Sequence, residues 1–368
     1  MSGVEGSQRQ QNRAATDAHD PGVLSHTDDD NDDEEIEIDD KDKDNGTTQY
    51  PGTAISDPHP ELIDADADLT RDCDPNAEYL DLIHLKIRSI EDLGLERFPK
   101  LQALCLRQNQ IGSMAAVSRL PVDLEELDLY DNRINHISST VNNLTRLQNL
   151  DLSFNKIKNI KNIDRLVELE NLYFVQNRIS EMKNLGTLRK LKNLELGGNR
   201  IAVILEEMLK LPSLTQLWLG KNKISKLQNL DNLINLRVLS IQSNRINKIE
   251  GLDKLVNLEE LYLSHNGISK IENLDNNTNL TVLDVTANRI SHLENLLHLV
   301  KLTDFWCSHN QVSSFEEISS QLGKLPELDT VYFEGNPVET SNPTAYRRKL
   351  RLCLGESLAK IDATYLRA

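Results

Sequence analysis

Eleven segments of this chain follow one template, LxxLxLxxNx closed by Ile or Val. They start with LQALCLRQNQI at Leu101 and LEELDLYDNRI at Leu124 and end with LTDFWCSHNQV at Leu302 and LDTVYFEGNPV at Leu328. The Asn of each unit falls at 109, 132, 155, 177, 199, 222, 244, 266, 288, 310 and 336, so copies lie 22 or 23 residues apart, except the last, at 26. An imperfect earlier copy, Leu80-Asp-Leu82 with Ile87, carries Leu85 where the Asn would stand. So strict a period leaves few folds open. No unit can bury its own leucines, and only stacking of neighbours supplies a core.

The template describes a leucine-rich repeat solenoid, an α/β fold with parallel strands on its concave face. In each LxL the leucines point inward and the residue between them points out. Each Asn stands where the chain leaves the strand, placed to bond the backbone groups freed there, and is read as structural. The IxxIxxL segment that follows packs a helical or 3-10 turn on the convex face, because 22 residues leave no room for a long helix. Twelve strands at about 4.8 Å spacing make an inner surface roughly 50–60 Å long, which suits a globular protein better than a metabolite.

Charge divides the chain. Residues 1–76 carry 5 basic and 22 acidic side chains, whereas 77–368 carry 36 of each. The run DDDNDDEEIEIDDKDKD from Asp28 to Asp44 holds 12 acids and two isoleucines. It repels itself and has too little apolar surface to offset the entropy of ordering. The expected organisation is therefore a disordered acidic arm over 1–76, about twelve repeats over 77–336 and a C-terminal cap over 337–368. The arm reads as a solubilising tail, or as a polyanion mimic or docking arm for a basic partner.

The opening MSGVEGSQRQ has no apolar stretch, so a secretory signal is not expected. Ile201–Leu205 is far too short for a membrane span. The four cysteines, at 73, 105, 307 and 353, show no CxxC pair and read as free thiols. An intracellular protein without membrane contact is expected.

Three positions per unit, six, four and two residues before the Asn, face the concave side. The middle row reads Asp81, Cys105, Asp128, Asp151, Tyr173, Glu195, Trp218, Ser240, Tyr262, Asp284, Trp306 and Tyr332. The row before adds Tyr79, Glu126, Glu260 and Asp304, and the row after adds Arg107, Tyr130 and Glu334. Nine of the thirty-six positions are acidic and only Arg107 is basic, which leaves this face at −8 and the rest of the repeat body at +8. Both tryptophans and five of the eight tyrosines share it. Strand propensity favours aromatics, but it does not explain why both tryptophans take the same repeat position. Exposed Trp and Tyr are common interface anchors, and rings among acids suit a large, partly basic protein partner.

A second row, directly after each Asn, reads Arg133, Lys156, Arg178, Arg200, Lys223, Arg245 and Arg289. It lacks interleaved aromatics and reads as a solvated, charge-balancing edge rather than a phosphate-binding stripe. No P-loop, dinucleotide fingerprint, HExxH or GxSxG occurs. His265 and His309 hold equivalent positions two units apart, about 10 Å by strand spacing, too far to share a metal ion. No enzyme activity, cofactor or metal site is expected.

In its 22-residue units, its acidic arm and the ending IDATYLRA, the chain resembles the family of leucine-rich regulatory subunit 7 of type-1 protein phosphatase. The likeness covers 77–368 and is closest at LGKNKISKLQNL and KIEGLDKLVNLEELYLSHNGI. It implies a non-enzymatic partner of the phosphatase catalytic subunit with nuclear and cytoplasmic pools. That partner would be a monomer before complex formation, would bind no nucleic acid, and would control the activity, maturation or localisation of the catalytic subunit. An inhibitor subunit sometimes joins such complexes. The family's contact positions match Asp151, Tyr173, Glu195, Trp218, Asp284, Asp304, Trp306 and Tyr332; the aromatic row adds Tyr262. Tyr173 and Trp218 stand where Phe is usual and Asp304 where Glu is usual, all keeping ring or charge. No basic-Val-x-Phe docking segment occurs; Lys301-Leu-Thr-Asp-Phe305 has the flanks without the valine. Binding by the whole trough is the consistent mode. The alternative is an adaptor of spliceosomal or axonemal type using the trough for another partner.

Overall fold

The computed structural model describes residues 66–355 and 358–366. The acidic run 28–44 and the rest of the chain before 66 lie outside the described residues. Twelve three-residue strands occupy the LxL positions: β1 Tyr79–Asp81, β2 Ala103–Cys105, β3 Glu126–Asp128, β4 Asn149–Asp151, β5 Asn171–Tyr173, β6 Asn193–Glu195, β7 Gln216–Trp218, β8 Val238–Ser240, β9 Glu260–Tyr262, β10 Val282–Asp284, β11 Asp304–Trp306 and β12 Thr330–Tyr332. They pair in parallel and in sequence order within one sheet. The register sets equivalent residues side by side, as in Trp218 beside Ser240 and Ser240 beside Tyr262.

The centre of each strand is a fully or nearly fully buried apolar residue, and a single core runs from Leu80 to Ile361. Truncating one such leucine to Ala costs about 2–5 kcal/mol, because the stack closes poorly around the hole.

The repeat Asn closes each unit. Asn132 donates through Nδ2 to the carbonyls of Leu106 (2.9 Å) and Leu129 (3.1 Å), and its Oδ1 accepts from the Ile111 amide (3.0 Å). The same pattern holds at Asn222 and Asn310, one unit binding the next. The residue before each Asn is left-handed, from Gln108 (φ 55°) to His309 (φ 54°), with Gly198 and Gly335 in the series. This conformation turns the chain out of the sheet. His265 and His309 are such exposed turn residues, and no metal-holding cluster occurs among the described residues.

Unit length selects how the chain crosses the convex face. The three 23-residue units wind 3-10 turns at Ala115–Arg119, Ser139–Asn143 and Glu206–Lys210. The 22-residue units have none. They carry a second left-handed residue seven positions after the repeat Asn: Asn162, Asn184, Asn229, Gly251, Asn273 and Asn295. Each of these asparagines reaches a carbonyl of the preceding unit, as Asn184 does to Ile160 (2.7 Å) and Asn273 to Ile249 (2.7 Å). Gly251 has no room for a side chain, since a Cβ there would lie 2.8 Å from the Leu227 carbonyl. The 26-residue interval holds helix α1 (Phe315–Leu322), capped by Ser314 Oγ accepting from the Glu317 amide (3.1 Å).

Both ends are closed. At the front, a 3-10 turn over Asp66–Thr70 buries Thr70, whose hydroxyl donates to the Leu93 carbonyl (2.7 Å), while Arg97 donates to the Thr70 carbonyl (2.8 Å). The arm boundary expected at 76 thus falls inside folded chain, because Leu69 and Thr70 complete the first unit's packing. At the back stand α2 (Pro337–Thr340), α3 (Tyr346–Leu354) and the strands β13 (Lys360–Ile361) and β14 (Thr364–Tyr365). Buried Asp362 takes over the part played by Asn elsewhere: its Oδ1 accepts from the amides of Phe333 (2.9 Å) and Glu334 (3.1 Å) and from the Tyr346 hydroxyl (3.2 Å). One core and both closures lie within the described residues from 66 on, which belong to one compact unit. No helix among the described residues is long and apolar enough to cross a membrane.

Candidate protein-binding face

Each strand buries its middle residue and turns the other two toward the concave side, so the expected site residues share one sheet face. Asp151, Tyr173, Glu195, Trp218, Tyr262, Asp304, Trp306 and Tyr332 are half-buried there, and Asp284 is 6% exposed. Trp218 and Trp306 lie neither in the leucine core nor on the outer curve.

From β2 to β6 the face is built of charge and amides. The guanidinium of Arg107 lies over the Tyr130 ring (4.1 Å), with Nη1 2.9 Å from Asp128 and 4.0 Å from Asp151. The one base among the thirty-six positions is therefore held by its neighbours. Burial pushes the Asp151, Glu195 and Glu126 carboxyls above their usual range; around Asp151 the Ser153 bonds and Arg107 oppose that shift. Asn193 donates to the Tyr173 hydroxyl (3.2 Å) and Asn171 to the side-chain Oδ1 of Asn149 (2.6 Å), holding this half in place.

From β7 to β12 the face is built of rings. Trp218 and Tyr262 stack with centroids 6.4 Å apart, Tyr262 and Trp306 lie 6.1 Å apart, and Trp306 meets Tyr332 edge-on at 5.8 Å. The first two pairs skip a strand. Two strand spacings are about 9.6 Å, so these rings lean toward each other over the shorter Ser240 and Asp284, which are buried beneath them. Ring pairs at such distances add about 0.5–1.5 kcal/mol each beyond their area and make a continuous rail. The Tyr262 hydroxyl donates to Glu260 (2.8 Å), and Asp304 accepts from the Thr303 hydroxyl (2.8 Å). The indole nitrogens of Trp218 and Trp306 are buried and have no partner among the described residues.

One contributor was not legible in the repeat rows. Lys360, on β13 beside β12, sets its ammonium over the Tyr332 ring (5.2 Å) and the Tyr365 ring (5.4 Å), ending the rail with a cation. The signal was its place four residues before Thr364 in the cap, which becomes meaningful only once the hairpin is seen.

A leucine-rich repeat family model matches residues 132–250, and a second, for two-copy leucine rich repeats, matches 234–276 and 256–298. Protein phosphatase 1 regulatory subunit SDS22 of Saccharomyces cerevisiae is 66% identical over 316 residues, 85% of this chain and 94% of that protein. The chain belongs to the SDS22 family of protein phosphatase 1 regulatory subunits. The Schizosaccharomyces pombe SDS22 is 50% identical over 109 residues, 30% of this chain and 27% of that one. Among solved structures, an internalin (inlF) of Listeria monocytogenes superposes with a TM-score of 0.64 at 21% identity, covering 83% of this chain and 95% of its own. A leucine-rich repeat protein of Leptospira interrogans gives 0.60 at 25% identity, covering 73% of each. These two share the solenoid. SDS22 proteins are regulatory subunits, and this chain is a non-enzymatic member.

Proposed function

We propose that the chain is a regulatory subunit that holds the catalytic subunit of type-1 protein phosphatase in its concave trough and so controls its activity, maturation or localisation. The observation that carries the reading is the ring rail sharing one open face with nine acidic residues and a single base, Arg107, in a chain 66% identical to a protein phosphatase 1 regulatory subunit. Trp218, Tyr262, Trp306 and Tyr332 anchor the partner as a preassembled surface that loses little side-chain freedom on binding. Tyr173 adds a fifth ring. Asp151, Glu195, Asp284 and Asp304 select a basic surface and speed encounter.

The test is capture of the purified phosphatase catalytic subunit by the full chain and by Trp218→Ala plus Trp306→Ala. The double variant is expected to fold, because neither indole enters the leucine core, and to lose capture. Undiminished capture overturns the concave-face reading. Affinity purification that returns a different dominant protein, and no phosphatase, overturns the partner and favours an adaptor for another complex.

A further inference from the structure

The two rims of the trough treat their charges differently. On the rim where the chain enters each strand, cations and carboxylates of adjacent units pair: Lys192 with Glu170 (2.7 Å), Arg237 with Glu259 (2.8 Å) and Arg146 with Asp123 (3.1 Å). Further round the convex side Lys270 pairs with Glu294 (3.5 Å) and Lys226 lies 4.0 Å from Glu250. On the rim where the chain leaves the strand, Arg133, Lys156, Arg178, Arg200, Lys223 and Arg245 follow in six consecutive units, with Arg289 two units on. All are exposed, and none has an ion-pair partner among the described residues. Lys158 and Lys221 border the row, also without one, and the acid set among these residues is Asp131. The next concave row inward is uncharged from Ser153 to Ser308.

The reading of this row as a plain solvated edge does not account for the contrast. Balancing charge would be served as well by pairs, which the opposite rim forms at the same spacing. We propose that the strand-exit rim is a docking edge for an extended, carboxylate-rich segment of a second protein. From Arg133 to Arg289 the row advances seven strand spacings, about 34 Å, the length of roughly ten extended residues. A single extended chain is narrow enough to follow one rim, with long Arg and Lys side chains absorbing the mismatch between 4.8 and 3.3 Å steps. Nucleic acid fits less well. Phe154, partly exposed and 4.9 Å from Tyr130, is the one Phe, Tyr or Trp at the turn position of these units, and His265 and His309 lie five and seven units further on, so the rim offers no run of neighbouring rings on which successive bases could stack. A duplex would also bring its phosphates over the acidic trough within about one Debye length, 8–10 Å. The surface is separate from the aromatic rail, so this inference stands or falls apart from the phosphatase reading.

The test uses residues 66–368 and a fluorescein-labelled dodecamer of glutamate, read by anisotropy at low salt. Binding is expected, and the fourfold variant Arg178→Gln, Arg200→Gln, Lys223→Gln, Arg245→Gln should weaken it at least tenfold. Neutralising four paired cations instead (Arg146→Gln, Lys192→Gln, Arg237→Gln and Lys190→Gln, whose ammonium pairs with Glu168 at 2.5 Å) removes the same net charge and should change it less than threefold. If the rim variant melts early, Arg200→Gln with Lys223→Gln carries the test at about threefold. Absence of peptide binding, equal losses in the two sets, or tighter binding of a single-stranded RNA dodecamer than of the peptide overturns the proposal.

Discussion

The two halves of the concave face are made from the same strand positions by different means. Between β2 and β6 carboxylates are raised by burial and knitted to Arg107 and to side-chain amides; between β7 and β12 rings touch across alternate strands, and the carboxylates are tied to hydroxyls or lie beneath the rings. The first half acts mainly at a distance, and the second, although Asp284 and Asp304 add charge, mainly in contact. A partner would be drawn in by one and retained by the other, so association and dissociation rates should respond to different substitutions.

The largest expected effect is on retention. Trp306→Ala removes the ring that touches both Tyr262 and Tyr332, and should weaken phosphatase capture by about 2 kcal/mol or more, roughly 30-fold, mostly through faster dissociation. Surface plasmon resonance separates the rates; an effect confined to association would erase the division between the halves. Next in size, Asp151→Asn with Glu195→Gln should slow association up to about tenfold at low salt and flatten its salt dependence, leaving dissociation nearly unchanged. Ser240→Val thickens the floor under Trp218 and Tyr262. It should increase dissociation a few-fold, with a melting temperature reduced by overpacking of about 1–3 kcal/mol.

The smallest effect concerns pH and has opposite signs for folding and binding. Burial raises the Asp151 and Glu195 carboxyls above their unfolded values, so the folded chain takes up these protons first as pH falls. Their contribution to stability therefore improves as pH drops through the folded pKa, and the penalty is fully relieved below the unfolded value near 4. The same protonation removes negative charge from the trough, so association should slow at a pH above that where ordinary carboxylates titrate, while the fold holds. Capture and thermal melting measured together check it. A loss of both in step would assign the pH response to unfolding instead.

Much of this was legible in the sequence because a solenoid converts period into position. The Asn series placed eleven of the twelve repeat strands and Leu80-Asp-Leu82 the first, and the alternation about each central Leu or its equivalent put the nine expected residues on one face. What stayed hidden depended on reach rather than register. That Tyr262 contacts Trp218 two strands away follows from ring size against the small Ser240 between them. That Arg107 is neutralised follows from a side chain bending toward Asp128. The second Asn series was visible in principle, since Asn162, Asn184, Asn229, Asn273 and Asn295 each stand seven residues after a repeat Asn. Its meaning lies in the convex crossing, where one residue more per unit replaces it with a 3-10 turn. Residues 66–76 read as arm by their acidic composition, and composition does not register the few contacts by which Leu69 and Thr70 seat the first unit.

A stack of parallel strands has no inherent last member, since every strand leaves one flank able to accept another. In this chain β14 runs antiparallel to β13 and is two residues long. An incoming strand from a second molecule would meet a flank too short to template addition and of the wrong polarity for the repeat. The IDATY turn thus works as a terminator. Deleting residues 359–368 would leave β12 as an open parallel edge, and the expected outcome is not a shorter monomer but end-to-end oligomers, readable by light scattering.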